Sequence, residues 1–205
     1  GVFKAIKAAI AEELLTKNLE VPYKKATPRN LFKNINSFKR NKQEVYHITG
    51  DVHYMALATG KSTVLTVHDV NSALTGSVFR RFYIKLFWFW WPALIVKRIT
   101  VISAFTKIEL ARLIPFARSK IKVVPNPLNP IFKPSAYQFN DNCPTLLCVG
   151  TKPNKNLNRV IKAVAGINCR LHIIGQLSPA QVDLLRENNV NYINAEDLSE
   201  MEIVS

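Results

Sequence analysis

Short β-branched runs alternate with helical runs along most of this chain, and few architectures accept that pattern. Val45–Ile48, Thr63–Val67, Ile99–Ile102 and Ile121–Val124 read as strands, with Asp51–Ala58, Ser77–Leu94 and Thr106–Ile114 as helices between them. Strands separated by helical crossovers predict a parallel sheet flanked by helices. Pro125, Pro127, Pro130 and Pro134 then interrupt the alternation. Proline neither continues a helix nor donates within a central strand. Beyond them the pattern resumes with a strand at 145–149, a helix at 155–165, a strand at 171–174, a helix at 179–188 and a strand at 190–193. The expected fold is α/β with two lobes, residues 1–133 and 143–205, divided near 133–143. The second lobe is expected to be incomplete and to expose an apolar strand edge.

Val2, Phe3, Ile6, Ile10 and Leu14 recur at helical spacing, so the chain is expected to open on an amphipathic helix. A basic stretch from Pro22 to Lys42 follows. The net charge of +14 is uneven: 20 Lys and Arg face 7 Asp and Glu through Lys120, against 8 and 7 from Ile121 onward. A first half near +13 points to an anionic partner, either nucleic acid or an anionic lipid surface; a basic face kept for solubility is the plainer alternative. Lys24, Lys25, Arg29, Lys33, Lys39 and Arg40 are the basic residues expected to share a face with the aromatic run Phe87–Trp91 if that partner is a membrane. Leu86 to Val96 is too short to span, since a bilayer requires about 20 apolar residues. The run is either a buried helix of the sheet or a helix lying in the interface.

Three cysteines without a C-x-x-C pair argue against a disulfide framework, and a reducing, cytoplasmic setting is the expectation. Gly1 in place of methionine, and a last run that stops inside an apparent helix start, give the expectation of an internal fragment.

Two strands end in chemistry-bearing residues. Thr63–Val67 runs into His68 and Asp69, and Val45–Ile48 into Thr49, Gly50 and Asp51, with His47 inside the strand. In open α/β sheets ligands bind beyond the carboxyl ends of the strands. A histidine there exchanges protons near neutral pH, and an adjacent aspartate fixes its tautomer or binds a sugar hydroxyl; the pair could equally cap the next turn. No H-x-x-x-H or D-x-D spacing supports a metal site. Further on, Thr145–Val149 leads through Gly150, Thr151 and Pro153 to Lys155 and Asn156. A glycine turn and a lysine at a helix start can hold a phosphate, through unpaired N–H groups and a compact positive charge. An ordinary strand-to-helix turn with a solvated lysine reads almost as well.

Taken in order, Tyr46–Asp51, Leu65–Asp69, Ile99–Ser103 with Thr106 and Lys107, Val123–Pro127, and Val149–Thr151 with Lys155–Leu157 resemble a family-4 glycosyltransferase of the GT-B type. The resemblance covers roughly residues 44–195. It implies two Rossmann-like lobes with parallel sheets, facing a cleft, with the second lobe truncated in this chain. The first lobe would present the acceptor and the second would bind a nucleoside-diphosphate sugar. Gly150, Thr151, Lys155 and Asn156 would contact the donor diphosphate, with Thr151 standing where many members carry arginine. His68 and Asp69 would be the catalytic pair, and His47, Gly50, Asp51, Asn126 and Gly175 would line the cleft. The implied activity is hexosyl transfer to a glycan or glycolipid acceptor, retaining and without metal or other cofactor. The family's Gly-rich turn would precede Gly1 and its glutamate pair would follow Ser205, so this length of chain is expected to be inactive alone. The expected location is cytoplasmic, peripheral on an anionic membrane in the docking reading. The competing readings are a basic nucleic-acid-binding module, whose aromatics should interleave with Lys and Arg, and another nucleotide-sugar enzyme such as an epimerase, which needs a G-x-G-x-x-G turn. Neither feature occurs in this sequence, and no nucleic-acid partner is expected.

Overall fold

The computed structural model describes residues 6–7, 9–11, 13–128, 132–133, 138–198 and 202. The expected opening helix falls mostly outside them; residues 6–7 and 9–10 are helical. The chain divides into two compact units, Gly1–Asn129 and Pro130–Ser205.

In the first unit four short strands, β1 (Tyr46–Ile48), β2 (Thr63–Val67), β3 (Arg98–Val101) and β4 (Ile121–Val123), pair in parallel in chain order. Right-handed crossovers between strands laid down in one direction put every connecting helix on the same face. Alternation along the strands sends Ile48, Leu65, Val67, Ile99, Val101 and Ile121 to that face, where they are buried. They meet α1 (Pro28–Ser37), α2 (Ala56–Thr59), α3 (Asn71–Leu74), α4 (Val78–Ile84), α5 (Trp91–Ile95) and α6 (Ala104–Leu113).

α1 lies inside the basic stretch, where composition suggested no element. Its start is nevertheless written locally: Thr27 caps the helix by accepting from the Asn30 N–H, and Pro28 takes the first turn, where no N–H is needed. Leu31 and Asn34 are its buried side, both 1% exposed. Asn34 is a fully used polar plug. Its Nδ2 donates to the Tyr23 carbonyl at 2.9 Å and to the Tyr54 hydroxyl at 2.8 Å, and its Oδ1 accepts from the Tyr23 N–H at 3.1 Å.

The aromatic run is a continuation of α4, with a π-helical stretch over Lys85–Trp90 joining it to α5. Trp88 and Phe89 are each 2% exposed, so this part of the run is core. Phe82, Trp91 and Leu94 remain exposed on its outer side. Trp91 packs edge-on against Phe87 at 4.7 Å, and Phe87 meets Phe32 of α1 at 6.4 Å. Among the described residues no helix is long and apolar enough to cross a membrane.

In the second unit β5 (Thr145–Val149), β6 (Arg170–Ile174) and β7 (Tyr192–Ala195) also pair in parallel in chain order. The crossovers α7 (Leu157–Ala163) and α8 (Pro179–Glu187) bury Leu157, Ile161 and Leu185 on Leu171 and Ile173. Leu147 and Val149, on the opposite face of β5, are 62% and 57% exposed.

Replacing Asn34 with alanine strips partners from both backbone groups of Tyr23 and from the Tyr54 hydroxyl. The Tyr54 hydroxyl is buried, whereas exposed Tyr23 can turn to water; a buried group left unpaired costs about 1–3 kcal/mol, so urea unfolding of Asn34→Ala is expected to show a loss of about 1–3 kcal/mol.

Candidate functional site

The carboxyl ends of β1 and β2 deliver Asp51, His68 and Asp69 to one edge of the first sheet. Asp51 is held by an indole: Trp88 Nε1–H donates to its Oδ1 at 2.6 Å and to its backbone carbonyl at 3.3 Å. His68 is half-buried, and its backbone carbonyl accepts from the Thr106 hydroxyl at 3.2 Å. Thr106 is itself fixed by Ser103, the cap of α6. Asp69 is exposed and accepts from the Asn71 N–H at 2.9 Å, an Asx-turn that opens α3. The pair thus combines a turn-forming carboxylate with a histidine whose main chain is tied to α6.

A second histidine stands at this edge that the motif reading passed over. His53, in the 3₁₀ turn His53–Met55, is 6% exposed and lies within electrostatic reach of Asp51, His68 and Asp69. Its Nδ1 lies 2.9 Å from the Trp88 carbonyl, and its ring stands edge-on to Phe89 at 5.6 Å. Burial pushes its pKa below the usual histidine value, a trend opposed by the Trp88 carbonyl and the carboxylate of Asp51. The sequence signal was slight: a lone histidine two residues beyond Asp51, inside the run Asp51–Ala58 that reads as a helix.

The other candidates in this unit sit apart from that group. His47 projects from the face of β1 opposite the helical core, where its Nε2 meets the Thr66 hydroxyl at 2.8 Å and Thr66 meets the Thr100 hydroxyl at 2.7 Å. Gly50 has open space where a Cβ would be and no left-handed φ, so nothing steric calls for glycine there. Asn126 lies in the exposed extended segment after β4.

In the second unit the turns after β5 and β6 are stitched together. Gly150, at φ +86°, donates to the Ile174 carbonyl at 2.7 Å, and Gly175, at φ +124°, donates to the Ala195 carbonyl at 2.8 Å. A Cβ on Gly175 would touch Thr151 and the Gly150 backbone at 3.5–3.7 Å, so the two turns are in contact. The Thr151 hydroxyl donates to the Gln176 carbonyl at 2.6 Å, and the Gln181 amide donates to the Thr151 carbonyl at 2.9 Å. Thr151 is therefore spent on holding the turns, where an arginine would carry charge.

Lys155 closes the 3₁₀ turn Pro153–Lys155, two residues ahead of the observed helix start at Leu157, whereas the motif reading began the helix at Lys155 itself. Its aliphatic stem lies across Gly150, where a Cβ would come within 3.2 Å of Cγ and 3.4 Å of Cε. Gly150 thus satisfies two demands, a left-handed backbone and room for the lysine stem. Asn156 takes a left-handed φ of 57° and precedes α7 without a side-chain cap. Among the described residues no group of three His, Cys, Asp or Glu could hold a metal ion.

Both units are parallel α/β sheets with polar groups gathered at strand carboxyl ends, the place where ligands bind in open sheets of this kind. Residues 15–131, more than half of the chain, match the sequence profile of Glycosyltransferase Family 4. The chain belongs to that family. Among solved structures it is similar to MurG of Acinetobacter baumannii, with 17% identity and a TM-score of 0.39 over 96% of this chain. The chain spans 55% of the length of that structure. No curated protein matches it.

Two outcomes follow from this geometry. Gly175→Ala forces a side chain into a glycine backbone conformation and is expected to lower stability by about 1–3 kcal/mol, measured by denaturant unfolding. His53 gives a pH signature. Its folded pKa lies below the unfolded value near 6.5, so under acid the unfolded chain takes up the proton first. Stability should be level above about pH 6.5 and fall on acidification, with a slope from this one group of at most about 1.4 kcal/mol per pH unit. His53→Gln should flatten that slope in thermal melts between pH 7 and pH 5.

Proposed function

We propose that this protein transfers a sugar from a nucleoside-diphosphate sugar to a glycan or glycolipid acceptor, the first unit serving the acceptor and the second the donor diphosphate. The family membership carries the reaction class. The assignment of the second unit rests on one observation: two glycine turns locked together, with the Lys155 stem laid over Gly150. That arrangement holds a lysine close to two backbone positions without a Cβ, Gly150 and Gly175, which suits an anionic diphosphate. Lys155 would neutralise the leaving nucleoside diphosphate, with Gly150, Thr151, Asn156 and Gly175 shaping its seat. His68 and Asp69 would act at the sugar; an imidazole at a strand end can accept or donate a proton as the acceptor hydroxyl reacts. Hexosyl transfer with retention, and without a metal or other cofactor, is the chemistry we assign.

The same reading places the protein in the cytoplasm, at the face of an anionic membrane. Support comes from α1 and the aromatic helix, which meet through Phe32 and Phe87. Exposed Phe32, Trp91 and Leu94 supply apolar contact, and Arg29 and Lys33 on α1 bring positive charge beside Phe32. Arg40, in contrast, lies over Gly60 and is left out of the docking set. Each basic residue near such a surface is worth about 1 kcal/mol at low salt.

Lys155→Ala is expected to weaken nucleoside-diphosphate binding by about 1.5–3 kcal/mol in calorimetry, the range for hydrogen bonds to charged groups; unchanged affinity removes the diphosphate assignment. His68→Ala should depress turnover far more than donor affinity, and equal losses would make the residue structural. Sedimentation with anionic vesicles should show binding that weakens with salt and with charge reversal at Arg29 and Lys33. No binding at low salt would end the membrane reading.

A further inference from the structure

One buried side chain underpins the turn after β5. Gln181, in the first turn of α8, is 8% exposed, and both polar atoms of its amide are engaged. Oε1 accepts from the Ser178 N–H at 3.0 Å, and Ser178 Oγ accepts from the Gln181 N–H at 3.3 Å, which closes a capping box at the start of α8. Nε2 donates to the Thr151 carbonyl at 2.9 Å and, at 3.3 Å, to Oδ1 of Asn158 in the first turn of α7. The amide stands only this way round. Reversed, it would set its oxygen against the Thr151 carbonyl and its donors against the Ser178 N–H. Glutamate would serve the capping box as well as glutamine. An ionised glutamate has no proton for the Thr151 carbonyl, so glutamine is the residue that performs both tasks.

That bond fixes the peptide between Thr151 and Lys152. Among the described residues no peptide bond is cis, and in a planar trans peptide the carbonyl and the following N–H point in opposite directions. With the Thr151 carbonyl turned to Gln181, the Lys152 N–H is turned away from it. Among the described residues no hydrogen bond occupies that N–H. We propose that Gln181 is a positioning residue of the diphosphate seat. It holds the Thr151–Lys152 peptide with its carbonyl inward and its N–H outward, and the Lys152 N–H donates to a diphosphate oxygen. The proposal rests on the reading of this turn as the seat of the donor diphosphate. What Gln181 sets is the sign of a dipole: an N–H facing the seat attracts an anion, whereas the reversed peptide presents a carbonyl oxygen and repels it. The same amide joins the turn to α7 through Asn158 and to α8 through Ser178, so two helices share in holding one peptide.

Calorimetric binding of inorganic pyrophosphate and of UDP to the full chain, well below the melting temperature of each variant, tests this. Gln181→Met keeps the bulk of the side chain and removes its amide. It should weaken both ligands about five- to tenfold, the worth of one ordinary hydrogen bond. Ser178→Ala removes the hydroxyl of the cap and leaves the bond to Thr151, so it should lower stability with both affinities within about twofold. Equal affinity losses in the two variants, or unchanged affinity in a folded Gln181→Met, overturn the proposal. Lys152→Pro reaches the same peptide without touching Gln181, and decides the matter where Gln181→Met fails to fold. Lys152 has φ −63° and ψ 155°, values that proline accepts, so the substitution deletes the N–H at a backbone already shaped for it. Measured against Lys152→Ala, which loses the same charge, Lys152→Pro should bind both ligands at least about tenfold more weakly, as for a hydrogen bond to a charged group. Equal binding by these two overturns the proposal while wild-type binding leaves the diphosphate reading standing. A wild type that binds neither pyrophosphate nor UDP overturns that reading, and the role of Gln181 falls with it.

Discussion

Parallel pairing in chain order is the constraint on which the rest of this molecule depends. Strands added in one direction through right-handed crossovers put all helices on one face and all strand carboxyl ends on one edge. In the first unit that edge receives Asp51, His68 and Asp69 from residues distant in sequence. In the second it receives the Gly150 and Gly175 turns. Both polar groupings follow from topology before any side chain is specified.

Each unit then fixes its edge by a different device. The second uses backbone and small polar side chains: two left-handed glycines bring the turns into van der Waals contact, and Thr151 and Gln181 tie them with hydrogen bonds. Such a surface is rigid because few rotatable bonds remain in it. The first uses a bulky buried residue. Trp88 is 2% exposed, yet both of its polar groups are engaged, the indole with Asp51 and the carbonyl with His53. Burying tryptophan requires a partner for its N–H, and here the partner is the Asp51 carboxylate at the strand edge.

The aromatic helix is a run that the sequence left open between a buried helix and one lying in an interface. Trp88 and Phe89 are core, while Phe82, Trp91 and Leu94 are exposed. A π-helical stretch changes the angular spacing of side chains, so a run that is apolar on every side divides between interior and surface. Linear inspection cannot divide it, because every residue in the run is apolar and no polar face marks the outside.

The order of strands and helices was legible from periodicity alone, since β-branched runs bounded by turn residues leave little choice. The strand-end positions of His68 and Asp69 were legible too, as was the glycine turn before Lys155. So was the family, through motifs whose spacing a continuous parallel fold preserves. α1 escaped notice because its basic composition hid a cap and a proline start. His53 escaped because its burial and its bond to the Trp88 carbonyl depend on a helix 35 residues away. The Trp88 carbonyl is one of many along a helical run, and nothing beside it in the sequence names its partner. Only the tertiary structure decided that an imidazole would stand opposite that carbonyl, because hydrogen bonds between distant elements are set by packing and leave no period in the chain.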